Sequence, residues 1–232
     1  AVNAKDAFDA VLLYCSYFML YKLVTELSVK DEKYKNVLIN VIIASAFILS
    51  FTSMLHLAGI IDIKGASIGK RLYGLYQYAN TTASVLGVGI ILSLSKLMNE
   101  NNIKVKSVYQ MILTALIPTF IFTLSRGGYL VLGGVLLLNF LVIKAREKVK
   151  LLLGLFISLL SSAFFIYKYY ILPEDTFSTV WIHYLISIIT SAVIIYIIYF
   201  FRNRVKIKFT ERSINIALIA MAVIFTGAIA FL

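Results

Sequence analysis

Thr123-Leu124-Ser125-Arg126-Gly127-Gly128 places a single arginine between two apolar runs, residues 107–124 and 127–143. Together these runs are much longer than the roughly 20 residues that one membrane-crossing helix needs, so we expect the chain to reverse direction at the arginine. A guanidinium group is costly to remove from water unless it meets an anion. The stretch therefore predicts a turn between two spans and a candidate anion-binding group at that turn.

The composition of the chain is that of a membrane protein. Hydrophobic residues make up 61% of its 232 residues, whereas average proteins use about 45–50% apolar residues. Eight apolar runs are long enough for spanning helices, and their continuous hydrophobicity excludes a barrel, whose strands alternate. We therefore predict an all-α, polytopic membrane helix bundle of about eight transmembrane helices, forming a single transmembrane domain over residues 1–232. The predicted spans are residues 7–24, 37–60, 80–97, 107–124, 127–143, 151–167, 179–201 and 214–232.

The ends and the single cysteine of the chain restrict its class further. The chain starts at Ala1 rather than Met and stops at Leu232 in an apolar run, so we interpret it as a piece of a longer protein. The first apolar run is long and further runs follow it, which argues against a cleavable signal peptide. Cys15 alone excludes an internal disulfide and argues against a metal cluster, and we expect neither a metal nor a cofactor.

The basic residues divide unevenly between the two ends of the predicted spans. Sixteen of the 22 Lys and Arg residues lie in the last residues of spans one, three, five and seven or in the connections that follow them: Lys22, Lys30, Lys33, Lys35, Lys96, Lys104, Lys106, Lys144, Arg146, Lys148, Lys150, Arg202, Arg204, Lys206, Lys208 and Arg212. Because cytoplasmic loops accumulate Lys and Arg, the net charge of +11 indicates topology rather than nucleic-acid binding. The same rule predicts that the loops with Arg71 and Arg126 are extracytoplasmic.

Arg71 and Arg126 are the strongest candidates for a binding function. Arginine binds phosphate through two parallel charge-assisted hydrogen bonds and stays protonated. Two arginines on one membrane face would suit a lipid-linked phosphate or pyrophosphate. The alternative is that each arginine binds lipid headgroups or caps a helix end.

Small and polar neighbours of the two arginines allow two interpretations each. Asn80 begins a predicted helix, where it would be an N-cap or would line a polar cavity beside Arg71. Gly127 and Gly128 would expose helix N–H groups to an anion or permit a tight turn, while Gly133 and Gly134 would allow close helix packing.

The histidines, His56 and His183, lack a metal-ligand partner or carboxylate at helical spacing, so we expect interfacial packing for both.

The two arginine stretches resemble the bacterial O-antigen ligase family, which includes O-antigen polymerases. Residues 70–83, KRLYGLYQYANTTA, resemble a pattern of Arg, Gly and aromatic residues before an Asn that opens a helix. Residues 123–130, TLSRGGYL, resemble the family's Ser-Arg-Gly between two spans, and the order and separation of both patterns also match. Ala79 departs from the family, which usually has proline there. The number of spans is more similar to that of the longer Gram-positive members.

The resemblance implies an activity and roles for particular residues. It implies metal-independent transfer of glycan from an undecaprenyl-pyrophosphate-linked donor to a glycan or lipid acceptor, at the extracytoplasmic face of the bacterial cytoplasmic (inner) membrane. Arg71 and Arg126 would bind the pyrophosphate, and the supporting residues would be Gln77, Asn80, Ser125, Gly127 and Gly128. Partners would be membrane lipid and these substrates, with no nucleic acid.

The resemblance does not place a catalytic residue within these 232 residues. The family's general base is a histidine in a large extracytoplasmic loop, which we expect beyond Leu232, so this piece alone would be inactive. Two other functions remain open: a transporter or flippase of lipid-linked glycan, and a non-catalytic scaffold of the cell envelope. No charged residue lies in the middle of a predicted span, which disfavours the transporter.

Overall fold

The computed structural model describes residues 4–30, 32–171 and 177–205, and this part of the chain is helical apart from one short hairpin and the turns and loops between these elements. The helices are α1 (Ala4–Lys30), α2 (Glu32–Leu57), α3 (Ala79–Asn99), α4 (Ile103–Phe122), α5 (Arg126–Val142), α6 (Ala145–Ile171) and α7 (Phe177–Val205), and the strands are β1 (Ser67–Ile68) and β2 (Arg71–Leu72). Each of the first seven predicted spans coincides with one helix.

The prediction of an all-α membrane bundle is confirmed, but the count of about eight spans is not. Within the described residues there are seven helices, and the predicted span over residues 214–232 lies outside them. Five of these helices are long and apolar enough to cross a membrane: α2, α3, α4, α6 over Glu147–Ile171 and α7 over Trp181–Phe200. Helix α5 has 17 residues and is shorter than these five.

The chain divides into two compact units, Ala1–Ala44 and Ser45–Leu232. The first unit contains α1 and the first part of α2, and the side chains of Tyr14, Phe18 and Met19 on α1 are exposed. The second unit contains both candidate arginines.

Helix α4 lies at the centre of the second unit. Residues 113–120 of α4 are buried without interruption, which requires neighbours on every side; these include α3, α6 and α7. Leu116 packs in one apolar cluster with Leu86 and Ile90 of α3. Near the end of α4, Phe122 stacks on Tyr169 of α6 with ring centroids 3.9 Å apart. The end of α4 is therefore held in place by aromatic packing.

Buried hydroxyl and amide groups join the helices of this unit. The hydroxyls of Ser50 and Tyr184 donate to the carbonyl of Ala115 at 2.9 and 3.4 Å, so α2 and α7 both bind α4. The Gln110 amide donates to the Ser158 hydroxyl at 2.7 Å and links α4 to α6. Without a hydrophobic driving force between helices in lipid, such hydrogen bonds and close packing hold a bundle together.

Residues 58–78, here called the hairpin loop, fold over one end of the second unit. Strands β1 and β2 pair antiparallel with Ile68 opposite Arg71. His56 fastens the loop, because its Nδ1 accepts from the N–H of Ile63 at 3.2 Å and its Nε2 lies 3.0 Å from the Ser67 hydroxyl. The hairpin therefore places Arg71 at a fixed position above the helix ends.

Candidate functional site

The turn between α4 and α5 lies directly before the predicted arginine. Leu124 turns the chain with a left-handed φ of 49°, and Ser125 then caps α5 by accepting a hydrogen bond from the N–H of Gly128 at 3.1 Å. Arg126 is the first residue of α5. The interpretation of Gly127 and Gly128 as a tight turn is wrong, because both lie inside the capped helix and neither has a positive φ.

The glycines of α5 differ in what surrounds them. A Cβ on Gly128 would lie 2.9 Å from the Cβ of Ala83, so this glycine permits the close approach of α3 and α5. A Cβ on Gly127 would meet no atom within 4 Å. The predicted packing role of Gly133 and Gly134 is wrong for the described residues, since neither has a neighbour within 4 Å of its Cβ position.

Arg71 contacts the end of α4. Its Nε donates to the carbonyl oxygen of Thr123 at 3.2 Å, and its Cζ lies 5.4 Å from the ring centroid of Tyr73. Thr123 is the C-cap of α4, where the helix dipole favours a positive charge. The helix-capping interpretation thus describes the Nε of Arg71, while its two terminal guanidinium nitrogens have no partner within the described part of the chain.

Arg71 and Arg126 line the same solvent-open groove, whose volume is about 680 Å³. The other lining residues are Asn80, Leu124, Gly127 and Tyr129. Of the predicted supporting residues, the fold therefore brings Asn80 and Gly127 to the groove. Gln77 instead donates to the carbonyl of Lys64 at 3.0 Å across the hairpin loop and is not a lining residue.

Asn80 connects the first turns of α3 and α5. Helix α3 begins at Ala79, so its N-cap is Tyr78, and the interpretation of Asn80 as the N-cap is wrong. The Oδ1 of Asn80 accepts from the Ser125 hydroxyl at 2.8 Å, and its Nδ2 donates to the hydroxyl of Tyr78 at 3.3 Å. Asn80 lines the groove beside Arg71, as the other interpretation expected.

The charge in the groove is positive. Two arginines line it and none of its described lining residues is acidic. The first turns of α3 and α5 contain no acidic residue either. The first N–H groups of a helix have no intrahelical acceptor, and those of Arg126 and Gly127 begin α5 at the groove. Helix N-termini and guanidinium groups both stabilise anions, so the groove is a candidate site for an oxyanion.

Two residues that line the groove, Leu124 and Tyr129, were not predicted from the sequence. Tyr129 lies one helical turn after Arg126; its hydroxyl donates to the carbonyl of Ile121, and its ring meets Phe120 edge-on at 5.5 Å. The (i, i+3) spacing from Arg126 was the available signal for Tyr129. No sequence signal pointed to Leu124, because an apolar residue before a helix cap does not indicate a left-handed turn.

The histidines do not line this groove. His56 binds the hairpin loop, and the ring of His183 packs against Phe164 with centroids 5.0 Å apart.

No family model, curated protein or solved structure matches this chain. A function is therefore inferred from the geometry of the groove and from the family resemblance of the two arginine stretches.

Proposed function

We propose that the chain is the membrane part of a glycosyltransferase that resembles O-antigen ligases or polymerases. It would transfer glycan from undecaprenyl pyrophosphate to a glycan or lipid acceptor at the extracytoplasmic face of the bacterial inner membrane. The observation that supports the proposal best is that Arg71 of the hairpin loop and Arg126 at the start of α5 line one groove.

The groove suits a pyrophosphate because it is positively charged and because it offers hydrogen-bond donors. A pyrophosphate presents acceptor oxygens on two phosphorus atoms, and two arginines supply fork-shaped donors for them. When the glycan is transferred, negative charge grows on the departing pyrophosphate. Guanidinium groups already placed around that position stabilise the developing charge without a metal ion.

The surroundings of the groove suit a donor that carries a lipid chain. Leu130 and Val131 of α5 follow the groove directly and are 78% and 67% exposed. Exposed apolar side chains on a membrane helix contact hydrocarbon. The polyprenyl chain of a donor bound in the groove would lie along this side of α5.

The test is glycan transfer from labelled undecaprenyl-pyrophosphate glycan in membranes that contain the intact protein. Arg126→Lys keeps the charge and loses the planar fork, so we expect transfer to fall about 10- to 100-fold, the value of a charge-assisted hydrogen bond. Lys64→Met is the matched control, because Lys64 is an exposed cation of the hairpin loop that does not line the groove.

Three results would contradict the proposal. Unchanged transfer in Arg126→Lys would remove the argument from bidentate phosphate binding. Movement of labelled donor across the membrane without a glycan product would indicate a transporter. Full function of the double variant Arg71→Ala with Arg126→Ala would indicate a scaffold.

A further inference from the structure

We infer that the amide NH₂ of Asn80 is a third, uncharged donor to the phosphate oxygens of a ligand in the groove, and that Ser125 is the residue that orients it. The inference rests on the proposed anion groove and adds a hydrogen bond from a neutral amide to the contacts of the two charged arginines. It follows from the hydrogen bonds around two side chains.

The hydroxyl of Ser125 donates its hydrogen to the side chain of Asn80. Ser125 is 0% exposed, so its hydrogen cannot bond to bulk water and needs a partner in the protein. Its oxygen accepts from the N–H of Gly128 at 3.1 Å. Within the described residues, the only acceptor that its hydroxyl reaches is the Oδ1 of Asn80 at 2.8 Å.

The orientation of the Asn80 amide follows from this bond. With Oδ1 held by Ser125, the NH₂ group carries both remaining hydrogens, and one of them is directed to the hydroxyl of Tyr78 at 3.3 Å. Rotating the amide by 180° would place NH₂ against the Ser125 hydroxyl, whose hydrogen would then be buried without an acceptor. Asn80 is exposed and lines the groove, so the second hydrogen is available to a ligand there.

The polar groups around the groove are then hydrogen-bond donors toward it. Arg71, Arg126 and Asn80 all present hydrogens, and the hydrogen of the Tyr129 hydroxyl is directed away, to Ile121. A ligand with several unprotonated oxygens fits such a site, whereas an ammonium group does not. Phosphate oxygens are the shared chemistry of a lipid-linked pyrophosphate and of free pyrophosphate.

Dissociation constants of the intact, detergent-purified protein for two probes, farnesyl pyrophosphate and inorganic pyrophosphate, test the inference. We expect Asn80→Ala to weaken binding of farnesyl pyrophosphate about 10-fold, in the range for a hydrogen bond to a charged group. Asn80→Asp keeps the shape and the bond from Ser125 but turns a carboxylate toward the anion, so we expect a loss above 100-fold. Asn99→Asp, which adds the same charge near the other end of α3, should leave binding unchanged.

A double-mutant cycle separates positioning from helix capping. Ser125→Ala removes a cap, so the melting temperature should fall by about 2–4 °C whether or not Asn80 is present. Binding should behave differently: Ser125→Ala should weaken it in the native background and have no further effect in Asn80→Ala.

Each contrary outcome has its own meaning. An equal loss of binding from Ser125→Ala in both backgrounds would show that Ser125 acts through the helix cap, which overturns its positioning role. Native affinity in Asn80→Asp would overturn the contact itself while leaving the anion groove intact. Failure of the native protein to bind either probe would overturn the groove and this inference together, and a preference for the inorganic probe would identify a free anion as the ligand.

Discussion

Replacing each arginine of the groove by alanine should affect stability unequally, although both changes remove the same charge from the same site. Arg71 is half-buried and donates its Nε to the carbonyl of Thr123, whereas Arg126 is exposed and has no partner for its guanidinium in the described part of the chain. Arg71 therefore stabilises the loop as well as being a candidate anion-binding residue, whereas Arg126 is a candidate anion-binding residue only.

The expected difference follows from the contacts of Arg71. A hydrogen bond from a charged donor contributes about 1.5–3 kcal/mol, a cation at a helix C-terminus about 0.3–1 kcal/mol, and stacking over Tyr73 about 0.5–1 kcal/mol. These terms overlap and Arg71 is partly solvated, so we expect Arg71→Ala to lower the unfolding free energy by about 2 kcal/mol. For a chain of this size that corresponds to about 4–8 °C in Tm. Arg126→Ala should change the free energy by less than about 0.5 kcal/mol.

Thermal unfolding in detergent measures this difference. Trp181 is the single tryptophan, and it packs 5.4 Å from Phe51 and 5.5 Å from Tyr184, so its fluorescence reports on the unit that contains both arginines. Equal values of Tm for the two variants, or a lower value for Arg126→Ala, would refute the assignment of a structural role to Arg71 alone. Both variants should still lose affinity for farnesyl pyrophosphate, which separates stability from binding.

Three further changes test the local geometry. Gly128→Ala should destabilise the protein by about 1–3 kcal/mol and weaken anion binding, because its Cβ would lie 2.9 Å from that of Ala83; Gly133→Ala, with no atom within 4 Å, is the matched control in the same helix and should not lower Tm. Leu124→Gly should raise Tm, since a left-handed residue other than glycine costs about 1–2 kcal/mol and Leu124 has a φ of 49°; a fall in Tm would show that its side chain stabilises the turn. Gly74→Ala should lower Tm and disturb the hairpin loop, because Gly74 has a φ of 65° and a Cβ there would lie 3.0 Å from a neighbouring side chain; circular dichroism melts would contradict this if Tm stayed at the native value.

Features that depend on one segment of chain at a time were predictable from the sequence. The length of each apolar run sets where a helix can cross hydrocarbon, and the runs over residues 107–124 and 127–143 correspond to α4 and α5 with a turn directly before Arg126. The sequence also indicated both arginines. Arg126 stood out because a guanidinium group between two apolar runs is costly unless it has a function or a partner, and Arg71 because the distribution of Lys and Arg predicts its loop on the same membrane face.

The roles of the residues around the arginines were decided by tertiary structure. Gln77 and Asn80 are three residues apart, yet one binds the hairpin loop and the other lines the groove, because the start of α3 at Ala79 turns only Asn80 toward Ser125. Likewise, only the approach of α3 distinguishes Gly128 from Gly133.

The sequence by itself determined that this chain forms apolar helices, with one arginine between two of them and another in a connecting loop, since hydrophobicity and charge act locally along the chain. Only the tertiary structure decided that Arg71 and Arg126 line one groove. That proximity depends on how the hairpin loop and the turn after α4 pack against each other, and the bond from Arg71 to the Thr123 carbonyl joins segments that no local pattern relates.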